Sequence, residues 1–257
     1  MSHKATSQKI RTLIGLSLLS LALILASCGG SDSGAQQKNN RAGSGSNSII
    51  PLQPTAVNYL SKPLVYVALG ASDAVGVGSN APVSQGYVPL VAARLPKGSH
   101  ALDLGVSGIH LHEALTAELP LALSTTPGLI TVWLVANDFI GGVPYNDYMQ
   151  DLATLLSQLH SGTHAHIFMA NLPDLTRLPA FSGDTAAQNA QMLHDIQHWN
   201  AGIAQQAAHY GVTLVDLFSR GSEITAHPEY ISGDGFHPNS AGYAQLANVF
   251  WQAIAGR

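Results

Sequence analysis

Short apolar runs alternate with amphipathic segments along most of the chain. The clearest run, LITVWLVA at residues 129–136, is rich in β-branched residues and apolar on both faces, as a buried parallel strand requires. Other runs also predict strands, at residues 63–70, 99–105, 164–171 and 212–217. Apolar positions at helical spacing predict helices between and after these strands, at residues 86–95, 112–123, 148–159, 184–211 and 239–256.

Repeated alternation of strands and helices favours a parallel sheet that is covered by helices on both faces. We therefore predict the α/β class, as a flavodoxin-like three-layer α/β/α sandwich with a parallel sheet of about five strands. Pro120 lies inside the predicted helix at residues 112–123 and is expected to interrupt it. In a doubly wound sheet, ligands bind at the carboxyl ends of the strands, so the loops there are the place to search for chemistry.

The first residues have the pattern of an export signal. A basic start at residues 4–11 precedes an apolar run at residues 13–27, which ends in LASC at residues 25–28. This ending resembles the bacterial lipobox, which implies cleavage before Cys28 and acylation of its thiol. Cys28 is the only cysteine of the sequence and has no disulfide partner. A plain secretory signal and an uncleaved anchor helix are the alternatives.

We therefore predict a lipoprotein signal peptide at residues 1–27, a flexible tether at residues 28–48 and one folded domain at residues 49–257. The tether is rich in Gly, Ser, Asn and Gln and cannot bury enough apolar surface to fold. Acylated Cys28 is expected to attach the exported protein to a membrane of the cell envelope. The residue after Cys28 is Gly29 rather than Asp, which resembles the pattern of lipoproteins sorted to the outer membrane if the cell is Gram-negative.

The composition narrows the classes of partner. The sequence is 46% hydrophobic and 10% charged, with a formal net charge of −4 and 7% aromatic residues. Such a chain has neither the basic surface nor the stacking platforms of a nucleic-acid-binding protein. Closely spaced histidines occur at residues 110 and 112, 164 and 166, and 194 and 198. They lack cysteine or carboxylate companions at metal-binding spacing, so we predict no metal site.

Residues with catalytic side chains follow the predicted strands. Ser72 follows the first strand, Gly108 in GVSGIH follows the second, and Asn137 follows the third. The loop before the last helix, SGDGFHPN, contains Asp234 and His237. The strand assignments place all of these residues at one end of the sheet. Together they contain a nucleophile, a base, an orienting acid and oxyanion donors, which is the set that acyl transfer requires.

Each of these residue types suits one part of that chemistry. A serine hydroxyl is a poor nucleophile and needs a base, a role that one ring nitrogen of His237 can take. The other ring nitrogen needs an acceptor, and Asp234 lies in the same loop. The backbone N–H groups of Ser72 and Gly108 and the Asn137 amide can donate to an oxyanion. A turn-forming role for Ser72 and a purely conformational role for Gly108 are the alternatives.

The blocks GASD, GVSGI, AND and DGFHP resemble the signature blocks of the SGNH, or GDSL-type, hydrolases, a family that includes lipolytic esterases. The match extends over the predicted domain in the family's order. It implies the SGNH hydrolase fold and a catalytic triad of Ser72, Asp234 and His237. It further implies an oxyanion hole formed by Ser72, Gly108 and Asn137.

Two positions depart from the pattern of this family. Ala71 stands where Asp usually precedes the nucleophile, and Val135 stands where Gly is usual two residues before the Asn. Neither position supplies triad chemistry, so activity is expected, but the valine is expected to narrow the pocket beside the oxyanion hole. GASDA does not fit the G-x-S-x-G elbow of α/β-hydrolases, and the glycines fit neither a dinucleotide-binding fingerprint nor a P-loop.

The resemblance implies a serine hydrolase that cleaves carboxylic esters of a small molecule, lipid or glycan through an acyl-enzyme intermediate, without a cofactor. A carbohydrate O-acetylesterase or acyltransferase that acts on envelope glycans is the alternative within the same fold. A surface binding lipoprotein without turnover is a third hypothesis. It would be expected to lack a triad residue, and the sequence contains all three.

Overall fold

The structure, a computed structural model, describes residues 59–256. Its strands are β1 (Val65–Gly70), β2 (His100–Asp103), β3 (Leu129–Trp133), β4 (His166–Ala170) and β5 (Thr213–Val215). They form one five-stranded sheet in the order β2-β1-β3-β4-β5, and every neighbouring pair is parallel. This is the strand order of flavodoxin-like folds, so the predicted α/β class and topology are confirmed.

Helices connect and flank the strands. The α-helices of the described residues are α1 (Ser72–Val75), α2 (Pro82–Gln85), α3 (Tyr87–Ala92), α4 (Leu111–Ala117), α5 (Leu119–Ser124), α6 (Ala136–Gly141), α7 (Tyr145–Gly162), α8 (Ala186–His209), α9 (Gly221–Ala226) and α10 (Ser240–Ile254). Short 3₁₀ turns lie at Tyr59–Ser61, Leu175–Arg177, Pro179–Phe181, Phe218–Arg220 and Pro228–Tyr230. The long helices are amphipathic, so each buries one stripe of apolar residues.

The helices form two layers with the sheet between them. α3 and α10 pack against each other in one layer, whereas α4, α5, α7 and α8 pack together in the other. Every residue of the central strand β3 is buried, which explains why its sequence is apolar on both faces. Every residue of the edge strand β2 is exposed, which explains why its sequence has the weakest strand pattern.

The structure differs from the sequence prediction at two places near the site. The segment predicted as one interrupted helix is two helices, α4 and α5, because Pro120 fits the first turn of a new helix. β3 ends at Trp133, and Asn137, which we predicted to lie in a loop, belongs to the first turn of α6. A helix as short as α6 has too few residues to show a hydrophobic period.

The strand connections open a crevice between β1 and β3. These strands are neighbours in the sheet, but the chain leaves β1 in one direction to form β2 and returns to form β3 on the other side. Loops that diverge at such a switch point leave room for a ligand. Ser72 lies just beyond β1 and Asn137 just beyond β3, so both are at this crevice.

Glu118, at the junction of α4 and α5, is hydrogen-bonded to the last residue of β1. The residue is 1% exposed, and its Oε2 atom accepts a hydrogen bond of 3.0 Å from the Gly70 N–H. The Gly70 carbonyl in turn accepts a hydrogen bond of 3.1 Å from the Val106 N–H, which fixes the loop that leads to Gly108. Burial, only partly offset by the Gly70 hydrogen bond, raises the pKa of Glu118 to about 8.

Some predictions fall outside the described residues. The signal peptide at residues 1–27, the lipidated Cys28, the tether at residues 28–48 and the first part of the predicted domain, residues 49–58, lie there. Within residues 59–256, the helices are too short or too polar for any of them to span a membrane.

Replacing Glu118 with glutamine is expected to change how stability depends on pH. The folded protein keeps a proton on this carboxyl up to pH about 8, whereas the unfolded chain releases it near the ordinary value of 4.5. Wild-type stability therefore falls across this window by at most about 1.4 kcal/mol per pH unit, and glutamine cannot titrate. Chemical denaturation should show the variant gaining stability relative to wild type as the pH rises through the window, then no further gain.

Glu113→Gln is the matched control for this experiment. Glu113 is exposed in α4, and a glutamine can still accept the hydrogen bond that Glu113 accepts from the His110 N–H. This substitution removes no buried carboxyl and acts only through the small influence of Glu113 on Asp138, so its effect on the free energy of unfolding should stay nearly constant across the window. An equally constant effect for Glu118→Gln would contradict the buried, protonated carboxyl.

Candidate active site

Ser72 is the first residue of α1, directly beyond the end of β1. The residue is 6% exposed. The first N–H groups of a helix have no acceptor within the helix, and they favour negative charge nearby. Ala71 occupies the N-cap position without a side-chain hydrogen bond, so its side chain does not compete for these groups. The helix start at Ser72 therefore offers N–H donors to an oxyanion.

Three side chains form one hydrogen-bonded chain beside this helix start. The Nε2 atom of His237 lies 2.8 Å from the Oγ atom of Ser72, and its Nδ1 atom lies 2.6 Å from the Oδ2 atom of Asp234. An ionised carboxylate can only accept hydrogen bonds, so Nδ1 carries the ring hydrogen and Nε2 accepts from the serine hydroxyl. The structure thus brings together Ser72, His237 and Asp234, the residues that we predicted as the triad.

Asp234 is stabilised as an anion by its hydrogen bonds. Its Oδ1 atom accepts from the Phe236 N–H at 2.8 Å, the His237 N–H at 2.9 Å and the Ser232 hydroxyl at 2.8 Å. Partial burial alone raises the pKa of this carboxyl, but the hydrogen bonds from His237, Phe236 and Ser232 outweigh it and lower the pKa to about 2. The charge that orients the imidazole is therefore present from mildly acidic pH upward.

The loop Ile231–Pro238 carries both Asp234 and His237, and its two ends are held together. Its end residues form an antiparallel bridge, and the Ser232 N–H donates to the His237 carbonyl at 2.8 Å. Gly78, with φ of +93°, lets the segment after α1 approach this loop. A Cβ atom there would lie 2.5 Å from the Pro238 carbonyl oxygen, so only glycine fits. Close backbone contact thus holds His237 near Ser72.

The two other predicted oxyanion donors follow β2 and β3. Gly108 is exposed with φ of +83°, and no hydrogen bond within residues 59–256 uses its N–H. Nothing lies within 4 Å of the position that its Cβ would occupy. The Nδ2 atom of Asn137 donates to the Ile109 carbonyl at 2.8 Å, which uses one of its two amide hydrogens. The positive φ explains a glycine at position 108, and its accessible N–H also suits an oxyanion donor.

Asp138 fixes the position of the loop that contains Gly108. The residue is 2% exposed, and both of its carboxyl oxygens accept from the Leu111 N–H, at 3.2 and 3.1 Å. Burial, partly offset by this hydrogen bond, raises the pKa of the Asp138 carboxyl to about 6. Because Asp138 lies in α6 and Leu111 begins α4, the contact joins the segments that follow β2 and β3.

Sequence reasoning missed two buried carboxyls near the site, Glu118 and Asp73. Asp73 follows the predicted nucleophile and is 8% exposed. Burial raises the pKa of its carboxyl to about 6, with His237 lowering the pKa and Asp234 raising it. A single Asp in a run of small residues is also typical of a turn, so the sequence carried no distinguishing signal.

Val135, predicted to narrow a pocket, is 2% exposed and packs in the core.

Three of the closely spaced histidines have partners of other kinds. His110 takes part in the capping box of α4, His112 lies 3.2 Å from a carboxylate oxygen of Asp151, and the His166 ring stacks on Tyr59. Across residues 59–256, no group of three or more His, Cys, Asp or Glu side chains is arranged to hold a metal ion.

Comparison with known proteins identifies the family. The profile of the GDSL-like Lipase/Acylhydrolase family matches residues 68–245, which include the helix start at Ser72 and the loop Ile231–Pro238. The chain belongs to the GDSL-like lipase/acylhydrolase family. This assignment agrees with the family resemblance drawn from the four sequence blocks and makes the protein a serine ester hydrolase. Among curated proteins, no significant match to the chain was found.

Solved structures of several hydrolases share the fold of this GDSL-like protein. LAE5, an alpha/beta hydrolase enzyme from the metagenome of Lake Arreo in Spain, is 19% identical with a TM-score of 0.62, over 77% of this chain and 97% of that one. Axe2, an acetylxylan esterase from Geobacillus stearothermophilus, is 16% identical with a TM-score of 0.61, over 76% and 96%. Phospholipase A1 from Streptomyces albidoflavus is 18% identical with a TM-score of 0.57, over 75% and 100%. At these identities the likeness establishes the fold.

Asp234→Asn is expected to lower kcat by roughly 10³- to 10⁴-fold, because an asparagine can present an N–H to the imidazole and favour the wrong tautomer. Substrate binding should change little, since the amide has nearly the shape of the carboxyl, whereas some stability is lost because the surrounding hydrogen bonds favour the anion. Steady-state kinetics on a soluble ester would measure the effect. Asp147→Asn, an exposed aspartate at the start of α7, is the control and should keep wild-type kcat. A wild-type rate for Asp234→Asn would remove this residue from the reaction.

Proposed function

We propose that this protein hydrolyses carboxylic esters through an acyl-enzyme intermediate, with Ser72 as nucleophile, His237 as general base and Asp234 as orienting acid. The observation that carries the proposal is the continuous hydrogen-bonded chain from Ser72 Oγ through the imidazole to Asp234. Such a chain activates a hydroxyl that is otherwise a poor nucleophile. Membership of the GDSL-like lipase/acylhydrolase family supports ester hydrolysis as the reaction.

The acylation half-reaction follows from this arrangement. Nε2 of His237 takes the hydroxyl proton while Ser72 Oγ forms a bond to the ester carbonyl carbon, which gives a tetrahedral oxyanion. The N–H groups of Ser72 and Gly108 and the Asn137 amide are the donors that we assign to this oxyanion. The imidazolium, stabilised by the anionic Asp234, then donates its proton to the leaving alkoxide, and the alcohol departs.

Deacylation repeats the same steps with water as the nucleophile. His237 takes a proton from water as its oxygen attacks the acyl carbon, and the oxyanion again forms at the same donors. Collapse of this intermediate breaks the bond to Ser72 Oγ, which recovers a proton from the imidazolium. The products are one carboxylic acid and one alcohol.

An O-acetylated glycan is the second candidate substrate. The observation that favours it is the open surface around Gly108, which is exposed and has no neighbouring atom where a side chain would stand. The large glycan part of an acetyl ester can occupy such an open rim, whereas a deep, closed channel would favour long acyl chains. We keep carbohydrate O-acetylesterase or acyltransferase activity as the alternative to hydrolysis of simple and lipid esters.

Ser72→Ala is expected to lower ester hydrolysis by at least roughly 10⁴-fold, because no other group can form the acyl-enzyme. The assay compares p-nitrophenyl acetate and octanoate with O-acetylated xylan. Ser84→Ala, an exposed serine in α2, is the matched control and should keep the wild-type rate. Equal rates for Ser72→Ala and wild type would disprove the nucleophile assignment. Acetate release from xylan at a higher kcat/KM than from p-nitrophenyl acetate would favour the glycan alternative.

We also propose that Cys28 is acylated and attaches the protein to a membrane of the cell envelope. The support is the lipobox-like LASC ending after an apolar run, together with the absence of any other cysteine from the sequence. Two or more acyl chains anchor a protein stably, whereas one chain gives marginal binding.

Cys28→Ser is expected to abolish incorporation of labelled palmitate and to move the protein from the membrane fraction to the soluble fraction. The measurement is metabolic labelling followed by fractionation of cells that express the full-length chain. Ser33→Ala, a neutral change in the tether, is the control and should leave both results unchanged. Membrane attachment and label retained in Cys28→Ser would disprove acylation at this residue.

A further inference from the structure

A cavity that the proposed reaction does not use lies directly behind the triad. Its wall includes Asp73, which follows Ser72 in the chain, and Phe236 and Pro238, which flank His237. The volume is about 130 Å³, similar to the engineered apolar cavity of about 150 Å³ that binds benzene. The cavity can therefore hold a molecule with about six heavy atoms of apolar body.

Most of the cavity wall is apolar and comes from elements that surround α10. Leu178, Ile224 and Leu246 belong to it, and they approach from the segment after β4, from α9 and from α10. The wall also includes Glu223 and Gln245, which are both exposed, so the cavity reaches the surface between α9 and α10. A molecule from solvent thus has access without passing over Ser72.

One polar group of the wall lacks a hydrogen-bond partner, and the carboxyl of another is hydrogen-bonded only to its own backbone N–H. Asp73 is 8% exposed, and within residues 59–256 no hydrogen bond from another residue reaches its carboxyl. Trp133 is 7% exposed, and its buried indole N–H has no partner among the described residues. Leaving such groups unpaired is costly, and most buried polar groups of proteins have a partner. Asp73 and Trp133 therefore point to a ligand that carries a polar group into an apolar cavity.

We propose that this cavity binds a small neutral alcohol, with an apolar body of four to six carbons in keeping with its size, whose hydroxyl group bonds to Asp73. A hydroxyl can donate to the Asp73 carboxyl and also accept from a donor such as the Trp133 indole. An ammonium group has no acceptor for the indole N–H. A carboxylate would be repelled by Asp73, and the wall's cation, Arg220, is already paired with Glu223 at 2.9 Å. A purely apolar molecule would leave the indole N–H without a partner and would give the Asp73 carboxyl no hydrogen bond from outside its own residue.

The proposed site does not depend on ester hydrolysis. Because the cavity lies beside the triad, however, a bound alcohol would affect the triad. Asp73 interacts electrostatically with both His237 and Asp234, so a hydroxyl bonded to Asp73 changes the field at the base. Alcohols are also the class of product that ester hydrolysis releases. An alcohol product that binds in the cavity would therefore influence the triad electrostatically from outside the catalytic site.

Calorimetric titration with 1-pentanol tests the proposal, with the Ser72→Ala variant as the background so that no turnover contributes heat. Asp73→Leu, which keeps the approximate volume but removes the carboxyl, is expected to weaken binding by roughly tenfold or more. Asp147→Leu, an exposed site on α7 in the opposite helix layer, is the control and should bind like the background protein. Circular dichroism and a thermal unfolding transition establish that each variant is folded.

A second arm does not depend on any substitution at Asp73. Crystals of the background protein soaked in 1-pentanol are expected to show the alcohol in the cavity with its oxygen at hydrogen-bond distance from the Asp73 carboxyl, and Leu246→Phe should exclude it. Water alone in the cavity, no measurable heat of binding, equal affinity in Asp73→Leu, or equal affinity for 1-pentylamine would each overturn the proposal. If the wild-type protein binds 1-pentanol but does not hydrolyse esters, the proposed function is overturned and the proposed alcohol site is retained.

Discussion

The hydrogen bond between Ser72 Oγ and His237 Nε2 is 2.8 Å long, although the two residues stand 165 positions apart in the chain. Such a bond tolerates displacements of only a few tenths of an ångström, so each side must be fixed by contacts other than the bond itself. On the serine side, β1 lies between two parallel neighbours and its last residue is bonded to Glu118. On the imidazole side, the close approach at Gly78 and the bridge at the base of the loop fix the ring.

The carboxyls around this bond show how local surroundings set charge. Asp234 accepts hydrogen bonds at both oxygens, which outweigh its burial and lower its pKa to about 2. Asp73 and Asp138 are more deeply buried with fewer compensating donors, which raises the pKa of each to about 6, and the same cause raises the pKa of Glu118 to about 8. Of these four acids, Asp234 alone keeps its anionic form far into acidic conditions, which suits a group that must orient an imidazole.

The sequence predicted the sheet and the residues at its rim, because buried parallel strands and the loops that follow them leave local signals. The run at β3 is apolar on both faces, and Ser72 and His237 lie in recognisable blocks. Glu118 and Asp73 could not be found in this way. Their importance comes from what surrounds them in three dimensions, namely the Gly70 N–H for one and an apolar cavity wall for the other. Short helices such as α1 and α6 were missed because tertiary contacts, rather than a periodic pattern, define them.

The loop Ile231–Pro238 holds both Asp234 and His237, and its own backbone bridge closes it. Acid and base therefore form a self-contained module whose internal pairing does not depend on the sheet. Assembly of the triad then requires this module to dock against the segment that runs from Ser72 to Gly78 and against the segment after β4, whose Ala180 N–H donates to the Gly235 carbonyl. A circularly permuted chain, with its termini elsewhere, would preserve the module intact, provided that these contacts could still form.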